Sequence, residues 1–303
     1  MKERTRWKAA GLTVGAALVL QVMARCIPGF ADWYTDVIYR KMAAAVGGFF
    51  SLFPFSAAEI GVYLLVAWLI VYVAYTVVKM FRKGGGAALL RRYCASVSMA
   101  AGILLLLFTL FCGINYYRTP FSETEGFPTV SGSTEELEAL SRGMIMGVYS
   151  PFTIEANYNQ DMPMFNIPST LCHELSHLKG YMREDEANFI AWLACVCSGQ
   201  PQFQYSGHML AYTYAMAALW NAGETDAYRE IYSQLCRRAR EDLLADDAFW
   251  ESYDGAVAEV SQDLNDVYLK INSQEDGVRS YGRMVDLLLA YRRMDSAWTD
   301  TIE

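Results

Sequence analysis

The chain has 303 residues, 53% of them apolar and 19% charged, with a formal net charge of −8. It is too apolar for an ordinary soluble domain and too charged for a wholly membrane-embedded one, so the sequence predicts two parts. Residues 1–117 hold 12 Lys and Arg against 4 Asp and Glu, and residues 118–303 hold 13 against 29; an acidic excess of that size excludes nucleic acid as a partner, because its binding depends on neutralising phosphates.

Three segments are apolar enough, over roughly the 20 residues a bilayer core requires, to be read as transmembrane helices: about 9–26, 60–78 and 94–114. A shorter stretch, 42–55, carries Gly47, Gly48 and Pro54 and reads as an interfacial or re-entrant piece. Lys2, Arg4, Arg6 and Lys8 precede the first span, and Lys79, Arg82, Lys83, Arg91 and Arg92 lie between the second and third. The remaining loop offers only Arg25, Arg40 and Lys41. Nine basic residues against three predict a cytoplasmic N-terminus and an extracytoplasmic domain over 118–303. Arg25 and Cys26 stand where a cleavable signal would carry small residues, so the first span is expected to remain as an anchor.

The seven cysteines fit neither a disulfide framework nor a zinc ribbon. Cys26, Cys94 and Cys112 lie in or beside the spans, and Cys172, Cys195 and Cys197 in helix-patterned segments, where they read as small buried apolar residues. Cys195 and Cys197 are two apart, which on a helix points them in different directions.

Residues 116–133 form a connector with Pro120 and Pro128, followed by a helical pattern over 134–142. Residues 152–159 alternate like a strand, which suits either a core position or an edge that pairs with extended peptide. Pro168 is well placed in the first turn of the next helix, where its missing N–H costs nothing.

That helix carries His173-Glu174-Leu175-Ser176-His177. Residues four apart share a helix face, so His173 and His177 can offer two imidazoles to one Zn2+ ion, and Glu174 can reach a water at the metal's open position as general base. Catalytic zinc usually takes a third protein ligand. Gly180 can end the helix and a second can begin near Arg183, returning Glu184 or Glu186 toward the metal. Glu184 is preferred because Asn188 lies one turn later, where a supporting acid commonly stands; Glu186 is the alternative. Arg183 occupies the place of the third histidine in H-E-x-x-H-x-x-G-x-x-H enzymes, and a guanidinium cannot ligate zinc, so that class is disfavoured. Tyr281, between Ser280 and Gly282, can donate to an oxyanion or merely pack, and His208 carries the same two readings. Helical spacing recurs over 189–197, 205–220, 226–244, 249–269 and 281–293. The acidic pairs Glu241-Asp242 and Asp246-Asp247 read as solvated faces.

The sequence resembles a family of bacterial membrane proteins known only as a domain of unknown function. The resemblance covers most of the chain and is carried by Phe53-Pro54-Phe55-Ser56 with Glu59, by Asn115-Tyr116-Tyr117, by Glu155-Ala156-Asn157, and most specifically by the His173 to His177 motif with Gly180 and Glu184 to Phe189. Tyr205-Ser206-Gly207 and Ser280-Tyr281-Gly282 are later landmarks, and His208 departs from the aromatic residue expected there. The resemblance implies three spans followed by an outer zincin-like domain with a zinc peptidase site.

The expected fold is therefore mainly α, with three transmembrane helices and then a helix-rich zincin-like domain containing a small β element. The expected function is hydrolysis of a peptide or protein substrate in the cell envelope, with His173, His177 and Glu184 holding zinc and Glu174 moving the proton. The alternatives are a non-catalytic membrane scaffold or sensor with a structural or vestigial metal, and a hydrolase of non-peptide bonds, since such a motif fixes the water and not the substrate.

Overall fold

The computed structural model describes residues 3–83, 86–126, 147–251 and 283–294. It is mainly helical, with three long apolar helices and a single two-stranded sheet among the described residues. Two compact units divide the chain: Met1–Arg118 with Ser150–Glu155, and Thr119–Tyr149 with Ala156–Glu303.

In the first unit, α1 (Glu3–Cys26) is followed by a helical run made of α2 (Phe30–Tyr34), a π turn (Thr35–Tyr39) and α3 (Arg40–Phe50), and then by α4 (Ala57–Lys83) and α5 (Gly86–Phe108). A second π turn (Thr109–Gly113) and a 3-10 turn (Asn115–Tyr117) extend α5. The stretches Glu3–Cys26, Ala57–Met80 and Gly86–Tyr117 are long and apolar enough to cross a membrane. Each exceeds its expected span, because hydropathy marks the apolar zone while the helix runs on through flanking polar residues such as Arg91 and Arg92. The piece expected over 42–55 is helical only to Phe50 and breaks at the turn before Pro54; its helix starts upstream of the expected boundary.

Small residues are buried along both helices, Ala10, Ala17 and Ala24 on α1 and Ala95 and Gly102 on α5, and Gly102 lies against Ala10 and Thr13. A Cβ on Gly102 would lie 2.5 Å from Thr13 Oγ1 and 3.2 Å from the Ala10 carbonyl oxygen, so only glycine permits this approach. Ser96 ties the bundle, accepting from Tyr72 of α4 at 2.9 Å and from Arg6 of α1 while donating to the Arg92 carbonyl at 2.9 Å. Most of the apolar surface of α4 stays uncovered by protein, as suits a lipid-facing helix.

The strand expected over 152–159 is shorter. The sheet pairs β1 (Gly147–Ser150) with β2 (Glu155–Tyr158), and the residues between form a turn in which the Ile154 N–H donates to the Ser150 carbonyl at 2.8 Å. Ile154 adopts φ 53°, uncommon for a β-branched residue; it is held there by near-complete burial and by contact with Gly47 of α3. Next to it, Glu155 accepts from the Ala57 N–H at 3.0 Å and the Ala58 N–H at 2.7 Å, satisfying two open donors at the start of α4.

In the second unit, α6 (Phe121–Thr124) precedes the sheet, and α7 (Ile167–Leu178), α8 (Glu184–Val196), α9 (Pro201–Asn221), α10 (Thr225–Gln234), α11 (Arg237–Glu251) and α12 (Met284–Met294) follow. The core forms where Phe189 and Trp192 of α8 meet Met284, Leu287 and Ala290 of α12, with Leu210 and Tyr214 of α9 packed at its margin. Complete burial of aromatic side chains of this kind is worth about 1.5–3 kcal/mol each. The helix expected over 226–244 is two helices, because Leu235 turns to extended backbone with ψ 137°. Asp242 and Asp246 are more than solvated faces: Asp242 accepts from the Tyr205 hydroxyl at 2.6 Å, and Asp246 from Asn166 Nδ2 at 2.7 Å and Trp250 Nε1 at 3.0 Å. The helix expected over 134–142 and most of that over 249–269 lie outside the described residues.

Candidate metal centre

The site is built by α7, α8 and the tight link between them. Pro168 stands in the first turn of α7, and Gly180 just past its end has φ 92°, a left-handed conformation that glycine adopts without a Cβ penalty. The Gly180 N–H donates to the His177 carbonyl at 2.9 Å and the Tyr181 N–H to the Ser176 carbonyl at 3.1 Å, closing the last turn. Arg183 then takes an extended conformation, and α8 opens with Glu184, Asp185 and Glu186, acids that suit the positive end of a helix.

This reversal brings one carboxylate back to two imidazoles. His173 Nε2 and His177 Nε2 are 3.0 Å apart, and Glu184 Oε2 lies 3.1 Å from the first and 3.6 Å from the second. These three are the group among the described residues whose donor atoms converge as metal ligands. Ligand atoms in a tetrahedral site with bonds of about 2.0–2.1 Å sit roughly 3.3 Å apart, so the observed triangle has the right size. The donor chemistry also fits, two imidazole nitrogens and one carboxylate oxygen being a zinc-type set.

The outward ring nitrogens hold the imidazoles in place. The Nδ1–H of His177 donates to the Tyr181 carbonyl at 2.8 Å, and that of His173 to Asn188 Oδ1 at 2.9 Å. Each bond fixes the tautomer that leaves an Nε2 lone pair facing inward. Asn188 in turn donates from Nδ2 to the Tyr214 hydroxyl at 2.9 Å. The Tyr149 ring of β1 lies 6.0 Å from the His177 ring.

Charges in the cluster follow from burial and proximity. Burial opposes a proton on His177, but the Glu184 carboxylate outweighs it and raises the imidazole to about 9. Burial works against the Glu184 anion as well, and the two imidazoles overcome it, holding its carboxyl below the usual range. Three inward-facing lone pairs form a receptacle suited to a cation, whether a proton or a metal ion.

Glu174 is 4% exposed, and its Oε2 has no hydrogen-bond partner among the described residues. Burial pushes its carboxyl above the usual range, the imidazoles pull it down and Glu184 adds to the rise. Glu186, the alternative ligand, is engaged elsewhere: its Oε1 accepts from the Phe121 N–H at 3.0 Å and from Arg183 Nη1 at 3.1 Å. Successive positions on α8 point about 100° apart, so Glu184 and Glu186 cannot face the same ion. Burial raises the Glu186 carboxyl to about 7 despite Arg183. Tyr281 lies outside the described residues, and His208 is exposed on α9, apart from the cluster.

Sequence reasoning missed Tyr214, Tyr149 and the Tyr181 carbonyl. The first two come from elements distant in sequence and carry no local signal; the third follows from the Gly180 turn, which sets where the next carbonyl points. Ser206, within the Tyr205-Ser206-Gly207 landmark, is buried and braces α9 on α7, accepting from the Ser169 N–H at 3.0 Å and donating to Ser169 Oγ at 2.9 Å.

No curated protein and no solved structure matches the chain. A family model described as protein of unknown function (DUF3810) matches residues 34–146 and 138–289, and the chain belongs to that family.

Proposed function

We propose that the protein is a membrane-anchored zinc metallopeptidase whose second unit faces away from the cytoplasm and cleaves peptide or protein substrates in the cell envelope. The observation that carries this reading is the convergence of His173 Nε2, His177 Nε2 and Glu184 Oε2 beside a buried Glu174 carboxylate oxygen with no partner among the described residues. His173, His177 and Glu184 hold the zinc ion. When bound, zinc supplies Lewis acidity, polarising a carbonyl and making a water acidic near neutral pH. Asn188 and the Tyr181 carbonyl orient the two imidazoles. Glu174 accepts the proton of the attacking water on Oε2 and returns it to the leaving amine, and burial favours this exchange by raising its affinity for the proton. The excess of Lys and Arg before the first span and between the second and third supports the orientation.

Near-complete burial of Glu174 and His177 supports a second reading, a non-catalytic scaffold or sensor with a structural metal, since structural sites are closed. The two separate in one experiment on the full-length protein in detergent, with zinc content and peptide-library cleavage measured for wild type and Glu174→Gln. The peptidase reading expects equal zinc and a loss of about 10²–10⁴-fold in turnover. Equal zinc with no cleavage by either protein supports the scaffold, and equal turnover by both removes Glu174 from the chemistry.

A further inference from the structure

Two cysteines meet beside this cluster without being bonded. Cys172 of α7 precedes His173, and Cys195 lies near the end of α8; the Cys195 S–H points to Cys172 Sγ at 3.8 Å. The two sulfurs differ in access, since Cys195 is fully buried and Cys172 is partly exposed. Cys195 is also pinned from behind. Gly207 of α9 passes so close that a Cβ there would lie 2.7 Å from Cys195 Cβ, and the Ser169 to Ser206 bonds hold α9 to α7. A buried sulfur in fixed position 3.8 Å from a reachable one is the arrangement of a resolving and an attacking thiol.

We propose that Cys172 and Cys195 are a thiol–disulfide site that closes into a covalent brace between the two helices bearing His173, His177 and Glu184. The oxidant is another disulfide. Cys172 as thiolate attacks one sulfur of that disulfide, its S–S bond breaks and the first thiol leaves, giving a mixed disulfide on Cys172. Cys195 then attacks Cys172 Sγ and expels the second thiol. Two cysteine thiols lose two electrons and two protons, and the oxidant disulfide gains both to become two thiols. Forming the bond brings the sulfurs from 3.8 Å to the ordinary disulfide distance of about 2.05 Å. A second unit outside the cytoplasm would meet such oxidants. The pairing itself follows from helix packing and stands whether or not the cluster is a hydrolase.

The test uses full-length protein in detergent, held with either oxidised glutathione or dithiothreitol, then alkylated, digested and mapped by mass spectrometry. The oxidised sample should yield one peptide pair linking Cys172 to Cys195 and two hydrogens lighter than the free peptides, while exposed Cys197 and Cys236 carry glutathione or the alkylating group. The link closes a loop with a sequence separation of 23 residues, for which Tm should rise by roughly 5–10 °C over the reduced protein. Cys172→Ser changes the partly exposed member and should keep the reduced fold while abolishing both link and Tm rise; Cys195→Ala should do the same from the buried side. Free alkylation of Cys172 and Cys195 after oxidation, a dominant link through Cys197 or Cys236, or a Tm that oxidation leaves unchanged would overturn the proposal. Neither readout depends on metal or on peptide cleavage, so failure here is distinguishable from failure of the peptidase reading.

Discussion

Asn188→Ala isolates a part of the proposed metal centre that would never touch the ion. The amide spans two partly buried partners, accepting from His173 Nδ1 at 2.9 Å and donating to the Tyr214 hydroxyl at 2.9 Å. Truncation leaves an imidazole N–H and a phenol without those bonds, and each buried group left unpaired costs about 1–3 kcal/mol. The larger consequence concerns the ring: without the bond at Nδ1 the imidazole can rotate, or place its proton on Nε2 where the metal should bind. Loss of such an orienting partner weakens metal binding by about 10–100-fold, which corresponds to about 1.4–2.8 kcal/mol. Zinc affinity of the full-length protein in detergent, measured by competition with a chromophoric chelator, should fall within that range. Asn188→Asp retains an acceptor for His173, and the Tyr214 hydroxyl can turn to donate, so this variant should bind zinc at least as well as wild type. Folded Asn188→Ala with an affinity within about twofold of wild type would refute the orienting role.

Two further perturbations test the anchor. Gly102→Ala should lower stability by about 1–3 kcal/mol through overpacking, because its Cβ would meet Thr13 and Ala10, whereas Gly61→Ala on α4 meets nothing within 4 Å; equal Tm values in detergent for the two variants would count against the small-residue seam. Glu155→Ala removes the acceptor for both the Ala57 and Ala58 N–H groups, costing about 0.5–2 kcal/mol. Faster hydrogen exchange should appear in the first turn of α4, with Glu155→Gln intermediate, and unchanged exchange there would remove Glu155 as a cap.

What could be read from the sequence tracks the range of each interaction along the chain. His173 and His177 share a face because helical periodicity places residues four apart together, and Gly180 marks the reversal because few other residues accept φ near 90°. From there the step to Glu184 is short in sequence, and Asn188 lies one helical turn on. Tyr214 is 26 residues from Asn188, and nothing local distinguishes it from the other tyrosines of α9. The strand misreading has a different cause. Alternation continued through Phe152, Thr153 and Ile154, but those residues form a turn whose left-handed Ile154 is stabilised by burial against Gly47, a contact invisible to a period-two pattern. The spans were legible in number and blurred at their ends, since hydropathy falls before the helix does at Arg91 and Arg92.

The precision of the His173, His177 and Glu184 cluster depends on α8 meeting both that cluster and the core at once. Glu184 and Asn188 are four apart and meet the imidazoles, while Phe189 and Trp192, further along the same helix, join the core with α12 and are 0% and 3% exposed. A carboxylate in a buried cation site is costly to place unless its backbone is fixed, because a small drift would separate it from its partners without restoring water. The core that α8 forms with α12 supplies that fixation, and Glu186 adds to it by holding the Phe121 N–H and Arg183 at the helix start. Glu186 therefore positions the helix that carries Glu184, although a reading of acids by sequence spacing alone would class it as a competing ligand. By the same reasoning, loosening the contact between Trp192 and Met284 should weaken the Glu184 corner of the site before it disturbs His173 and His177, whose helix is held separately by Ser169 and Ser206.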